Sequence, residues 1–283
     1  MKERVGRGSF GTVYRALWEG REVAVKELHP WVRQDAGRLD ALRQEVDLLR
    51  SLDHERVVRV LAYDGENGRV VMEFVRGKTF RALLDDPGSR LSALLASLQD
   101  VAQGLMFLHS RRLVHKDVKP ENIFVSESGG AKLGDFGFAQ RTGGLGGWLR
   151  RLAGRQRIQG TVAYMAPEIL KGGSPSGKSD AFSLGVVIYE AAALRRPFRS
   201  SSEQISKVEG GAEVSRGAGE VVRKILKHDP EPPSRARPGV PREIDAVALG
   251  LLAKDPSERL EVTHAFMALR TAVAKIQARR SEA

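Results

Sequence analysis

The chain has 283 residues, 41% of them apolar and 29% charged, values that fit a globular protein with a substantial buried core. It contains no cysteine, which excludes disulfides, thiolate zinc sites and a cysteine nucleophile together; its six histidines (29, 54, 109, 115, 228 and 264) show no close metal-ligand spacing. The net charge of +11, from 46 basic and 35 acidic side chains, attracts anions of many kinds, from ATP and acidic protein segments to nucleic acid and membrane headgroups.

In chain order, Arg4 to Lys26 shows short strands and turns. A Gly-rich stretch leads into TVYRAL, then a turn at Trp18-Glu19-Gly20, then REVAVKEL with period-two alternation. A helix is expected over 36–51, where Leu39, Leu42, Val46 and Leu49 form one apolar stripe. The strand-like runs RVVRVLAYDG and GRVVMEFV meet at Gly65-Glu66-Asn67-Gly68, a hairpin turn. After Gly77 the pattern becomes helical. Leu94, Leu98, Val101, Leu105 and Leu108 line one side of a helix over 91–110, and 182–194 is apolar almost all round, as in a helix at a domain centre. Further helices are expected over 244–253 and 262–274, with a proline-rich surface loop at 230–241 between the two halves of this section. The fold class is therefore α+β, with a small sheet carrying one helix over residues 1–77, a larger and mainly helical part over 78–270, and a charged tail at 271–283 whose end frays.

The longest strongly apolar run, LGVVIYEAAAL at 184–194, contains Glu190 and is too short to span a bilayer. No charged-then-apolar leader opens the chain. The expectation is a cytoplasmic protein without a transmembrane segment. Five arginines (141, 150, 151, 155 and 157) and no acid lie between Arg141 and Arg157, which reads as a solvated basic face or a loop that docks an acidic partner. No aromatic-and-basic platform accompanies them, so no nucleic acid is expected.

Gly6, Gly8 and Gly11 form GxGxxG, followed by Val13. Alone this spacing admits three readings. In dinucleotide-binding folds the glycines open a helix after a strand; here the strand pattern continues past Gly11. A glycine loop bent between antiparallel strands can instead offer backbone amides to phosphate, or it can be an ordinary Gly-rich hairpin.

Four further segments follow in order: VAVK ending at Lys26, HKDVKPEN from His115 to Asn122, DFG from Asp135 to Gly137, and GTVAYMAPE from Gly160 to Glu168. With these the chain resembles the protein kinase family from Val5 to about Arg270, and the resemblance implies a bilobal fold, Mg·ATP as the nucleotide and protein serine or threonine hydroxyls as acceptors. Phosphoryl transfer needs an alcohol held in line with the γ-phosphorus and cations around its oxygens. By resemblance, Lys26 serves the α and β phosphates and pairs with Glu45; Asp117 accepts or orients the hydroxyl proton; Lys119 reaches the transferring phosphate; Asn122 and Asp135 are Mg²⁺ ligands. The resemblance also builds an adenine slot, with Val5 and Val13 above the ring, Ala24 beside it and Phe124 beneath. Met72 guards the back of that slot, and Glu73 and Val75 offer backbone hydrogen bonds. The glycines at 6, 8 and 11 cover the phosphates. Thr161 bonds Asp117 and Lys119, Glu168 pairs with Arg259, and Asp180 braces the catalytic-loop backbone.

The sequence Lys119-Pro-Glu-Asn together with Thr161 is similar to serine/threonine rather than tyrosine kinases, and the segment from Glu231 to Leu260 resembles bacterial kinases of the eukaryotic-like type. One departure is Lys116, where the family usually carries an arginine that grips a loop phosphate bidentately. Residues 143–160 contain no Ser, Thr or Tyr, so activation is expected not to depend on phosphorylation of the loop. Thr142→Ala should leave activity nearly intact; a loss of more than about tenfold in a phosphotransfer assay would contradict this. The competing readings are a pseudokinase scaffold, a small-molecule kinase and a nucleic-acid binder. The first loses the lysine or an aspartate that this chain keeps, and the second generally lacks the GT…APE peptide platform.

Overall fold

The computed structural model describes residues 3–8, 11–34, 36–135, 162–201 and 211–281. The first part is a five-stranded antiparallel sheet, β1 (Glu3–Arg7), β2 (Gly11–Trp18), β3 (Arg21–Leu28), β4 (Val60–Asp64) and β5 (Arg69–Glu73), in the order β1-β2-β3-β5-β4. Between β3 and β4 lie a short helix α1 (Pro30–Arg33) and the longer α2 (Ala36–Arg50), whose Leu42, Val46 and Leu49 are buried as the stripe predicts. The β2–β3 hairpin closes on Glu19 and Gly20, both at positive φ (50° and 74°), the backbone that a two-residue turn of this hand requires. At the β4–β5 turn, Asp64 accepts from the Asn67 backbone (3.0 Å) and side chain (2.8 Å).

The sequence pattern places a strand from residue 56, but β4 begins at Val60. The preceding residues are drawn into a link with the other lobe: Val57 makes a parallel bridge to Leu133, Val58 N–H donates to the Leu133 carbonyl (2.9 Å) and Leu133 N–H to that of Arg56 (2.9 Å).

The second part holds a small sheet, β6 (Gly77–Thr79), β7 (Ile123–Ser126) and β8 (Ala131–Leu133), and the helices α3 (Phe80–Leu84), α4 (Leu91–Ser110), α5 (Pro167–Leu170), α6 (Gly177–Ala193), α7 (Gly211–Lys227), α8 (Pro233–Ala236), α9 (Arg242–Leu251) and α10 (Val262–Ser281). α6 is the hub, with every residue from Ser179 to Ala193 buried. It starts five residues before the apolar run that marks it in the sequence, because its first turn is polar: Ser179 Oγ accepts from Ser176 N–H (3.0 Å) and donates to the Ser176 carbonyl (2.7 Å). It stops at Leu194, in the left-handed region (φ 53°).

The helix expected to end at residue 274 runs on to Ser281, through the charged segment 271–281. This is α10, with Ala272 and Val273 buried and the helix lying along α4. α7 is absent from the sequence reading because its glycines disfavour helix; Val221 and Ile225 anchor it in the core. Among the described residues, α4 alone is long and apolar enough to cross a membrane by length and composition (mean hydropathy 1.4), and half of it is buried within the lobe.

Candidate active site

The glycine loop joins β1 to β2, and its three glycines differ in kind. A Cβ at Gly11 would lie 2.4 Å from the Glu27 carbonyl oxygen, so this glycine lets β2 and β3 approach. At Gly6 a Cβ would meet nothing within 4 Å, and at Gly8 only the Gly11 oxygen at 3.6 Å, so there is open space where a side chain would stand at both positions. Gly8 N–H closes the loop onto the Gly11 carbonyl (2.8 Å). Helix does not follow Gly11, which removes the dinucleotide-fold reading.

Below this loop, Val13 on β2 is opposite Lys26 on β3, and Ala24 is opposite Met72 on β5. Val5 is apolar yet 48% exposed, and Phe124 lies on β7 opposite Thr79. Val75 follows β5 and is half-buried against the core. The Glu73 N–H donates to the Arg59 carbonyl (2.9 Å), so the backbone group this residue can offer a base narrows to its carbonyl; its side chain pairs with Lys132 (2.5 Å).

Lys26 is 3% exposed, where a charge persists only with a partner. Its ammonium pairs with the Asp135 carboxylate across the two lobes. The Glu45 side chain, expected as its partner, lies outside the described residues, as do Thr161, Thr142 and the arginines of 141–157.

The loop of residues 115–122 gathers the remaining groups. Lys119 Nζ donates to Asp117 Oδ2 (2.6 Å), and Asn122 Nδ2 donates to Asp117 Oδ2 (2.9 Å) and to its carbonyl (2.8 Å). Among the described residues Asp117 Oδ1 accepts no bond. Asp180, 1% exposed at the start of α6, fixes the loop backbone: it accepts from His115 N–H (2.8 Å), Lys116 N–H (2.9 Å) and His109 Nε2 (2.9 Å). This holds Lys116 at φ 71°, a conformation a non-glycine residue keeps only under such constraint.

His115 links the two aspartates. Complete burial pushes its pKa below the ordinary 6.5 despite Asp180, Asp117 and Asp135 nearby, so the ring is neutral. Nε2–H donates to the Gly134 carbonyl (3.2 Å), beside Asp135, while Nδ1 accepts from Asp117 N–H (3.3 Å). With the folded pKa below the unfolded one, the unfolded chain binds the extra proton first, and stability falls as pH drops below about 6.5. Urea midpoints measured at pH 7.5 and 5.5 should show this loss, and His115→Gln should reduce the difference between them.

A hard cation fits the donors present. Asn122 spends its amide hydrogens on Asp117, leaving the amide oxygen, and Asp135 adds a carboxylate. No group of three His, Asp or Glu able to hold a metal occurs among the described residues, and two oxygen donors supplemented by phosphate suit Mg²⁺ better than an all-protein cage.

Arg259 is fully enclosed, its side chain at 0% exposure. It donates to both Glu168 oxygens (2.7 and 2.9 Å) and to the Lys178 (2.7 Å) and Ala253 (3.0 Å) carbonyls, pairing α5 with the approach to α10. Sequence reasoning missed a further polar cluster, Arg81, Tyr164 and Glu190. A glutamate within an apolar helix was its signal; nothing in the sequence marked Arg81 as its partner.

A family model described as "Protein kinase domain" matches residues 1–268. The chain is similar to serine/threonine-protein kinase TIO of Arabidopsis thaliana, with 33% identity over 91% of this chain and 18% of that protein. It is 32% identical to serine/threonine-protein kinase PknB of Mycobacterium tuberculosis over 92% of this chain and 40% of PknB, and 31% identical to serine/threonine-protein kinase pkn2 of Myxococcus xanthus over 92% and 30%. It thus spans less than half the length of these relatives.

Proposed function

Because the chain belongs to the protein kinase family, we propose that it transfers the γ-phosphate of ATP to serine or threonine hydroxyls of proteins. The observation that carries this reading is the division of labour at Asp117: one carboxylate oxygen is occupied by Lys119 and Asn122, and the other, which accepts no bond among the described residues, can take the proton of an incoming alcohol. As the hydroxyl oxygen bonds to the γ-phosphorus, the bond from that phosphorus to the β-phosphate bridging oxygen breaks, ADP leaves, and the alcohol's proton passes to Asp117. Lys119 steadies the moving phosphoryl group, and Lys26 steadies the α and β phosphates. Asn122 and Asp135 would hold Mg²⁺, which would supply positive charge to offset the negative charge of the phosphates. The glycine loop at 6, 8 and 11 would cover the phosphates. Val5, Val13, Ala24 and Phe124 suit the adenine, with Met72 behind them and Glu73 and Val75 at the edge.

Serine and threonine are favoured as acceptors by the Lys119-Pro-Glu-Asn loop and by the character of the named relatives. The arginines of 141–157 favour an acidic partner at the activation loop. Phosphoamino-acid analysis of a protein acceptor labelled by the purified chain tests the reading. Label on serine and threonine is expected, and label confined to tyrosine, or found only on a small molecule, would contradict it.

A further inference from the structure

Glu190 sits in an unbroken run of buried residues on α6 and is itself 7% exposed. Arg81 of α3 grips it with both terminal nitrogens, Nη1 to Oε1 (3.0 Å) and Nη2 to Oε2 (3.3 Å). The Tyr164 hydroxyl donates to Oε2 (2.5 Å) and accepts from Arg81 Nη2 (2.6 Å). Burial, reinforced by Glu190, raises the Tyr164 pKa far above its ordinary value, so the hydroxyl stays a donor. The third edge of the same guanidinium is used as well: Nε donates to Glu121 Oε1 (3.1 Å). Glu121 stands in the 3₁₀ turn Pro120–Asn122, between Lys119 and the candidate metal ligand Asn122.

One planar group therefore joins three separate stretches of chain: the catalytic loop, the segment 162–166 and the central helix. The geometry points to Arg81 as a positioning residue for the acceptor. It sets the spacing between the turn that carries Lys119 and Asn122 and the platform segment on which an acceptor peptide rests while its hydroxyl meets Asp117. This role rests on the kinase reading above. Lysine cannot replace it: a point charge neutralises Glu190 but cannot donate along three directions in one plane.

Arg81→Lys and Tyr164→Phe test the assignment. Hydrogen exchange in the full chain should quicken in both 119–123 and 162–166. With myelin basic protein as acceptor, its KM should rise about tenfold, as for loss of a charge-assisted hydrogen bond, while the KM for ATP stays unchanged. A purely structural role would leave the two KM values unseparated. Quickened exchange in one segment alone or in neither, or the two KM values rising together, overturns the inference. If Arg81→Lys does not fold, Tyr164→Phe, which removes a single oxygen, carries the same readouts. Absence of transfer by the parent chain would count against the kinase reading, and the exchange measurement would still decide whether Arg81 couples the two segments.

Discussion

Asp117→Asn is expected to lower kcat for phosphoryl transfer by about 10²–10⁴-fold, the usual contribution of a positioned general base, while Mg·ATP binding remains. The amide keeps the size and shape of the carboxylate and can still accept from Lys119 and Asn122, which hold Oδ2 in the parent chain. What it loses is the ability to take a proton at the other oxygen. The loop itself should persist, because its backbone is tied to Asp180 and to the neutral His115 rather than to the Asp117 side chain. Parallel titration with a fluorescent ATP analogue and a transfer assay separates binding from chemistry. If Asp117→Asn transfers phosphate at the parental rate, Asp117 has no chemical role.

Arg259→Leu should produce the largest loss of stability. Removing the guanidinium leaves Glu168 as a carboxylate without its partner and strips the hydrogen bonds from the Lys178 and Ala253 carbonyls. Breaking a buried pair from one side costs about 3–5 kcal/mol, which for a domain of this size lowers the unfolding midpoint by roughly 10 °C. The guanidinium also lies over the Phe182 ring, 5.1 Å from its centroid, so leucine recovers part of the packing but none of the polar bonds. Exchanging both partners for apolar residues, Arg259→Leu with Glu168→Leu, should recover stability relative to the single change, since no charge is then left buried alone. Differential scanning calorimetry of the three proteins checks this, and a double change that is no better than the single one would contradict it.

The elements most legible in the sequence are those whose hydrophobic period is complete within the element. The α4 stripe from Leu94 to Leu108 and the β2–β3 hairpin around Glu19-Gly20 lie where periodicity and turn chemistry put them. Errors fall where tertiary contacts override local pattern. Val57 leaves the strand pattern to bridge Leu133, α7 forms despite its glycines because Val221 and Ile225 are buried, and α10 continues past residue 274 to Ser281, with Ile276 packed against the core.

The site divides in the same way. Asp117, Lys119 and Asn122 lie within six residues of sequence, and the structure brings them together. Lys26 and Asp135 are 109 residues apart, and only the order of family motifs joins them beforehand. His115 couples the loop to Gly134, and Arg81 meets Glu190; both depend on side-chain directions that no spacing encodes. The glycine loop is intermediate. Its spacing left three readings open, and the different surroundings of Gly6, Gly8 and Gly11 separate the two with open space where a side chain would stand from the one that lets two strands meet.

The most direct test is to incubate the purified chain with Mg²⁺, γ-labelled ATP and a protein acceptor, and to count ADP released against phosphate fixed on hydroxyls. Acid-stable label on the acceptor, equal in amount to the ADP formed and lost with Asp117→Asn, is the predicted result. A chain that binds Mg·ATP but leaves it unconsumed with every acceptor, itself included, would contradict the account.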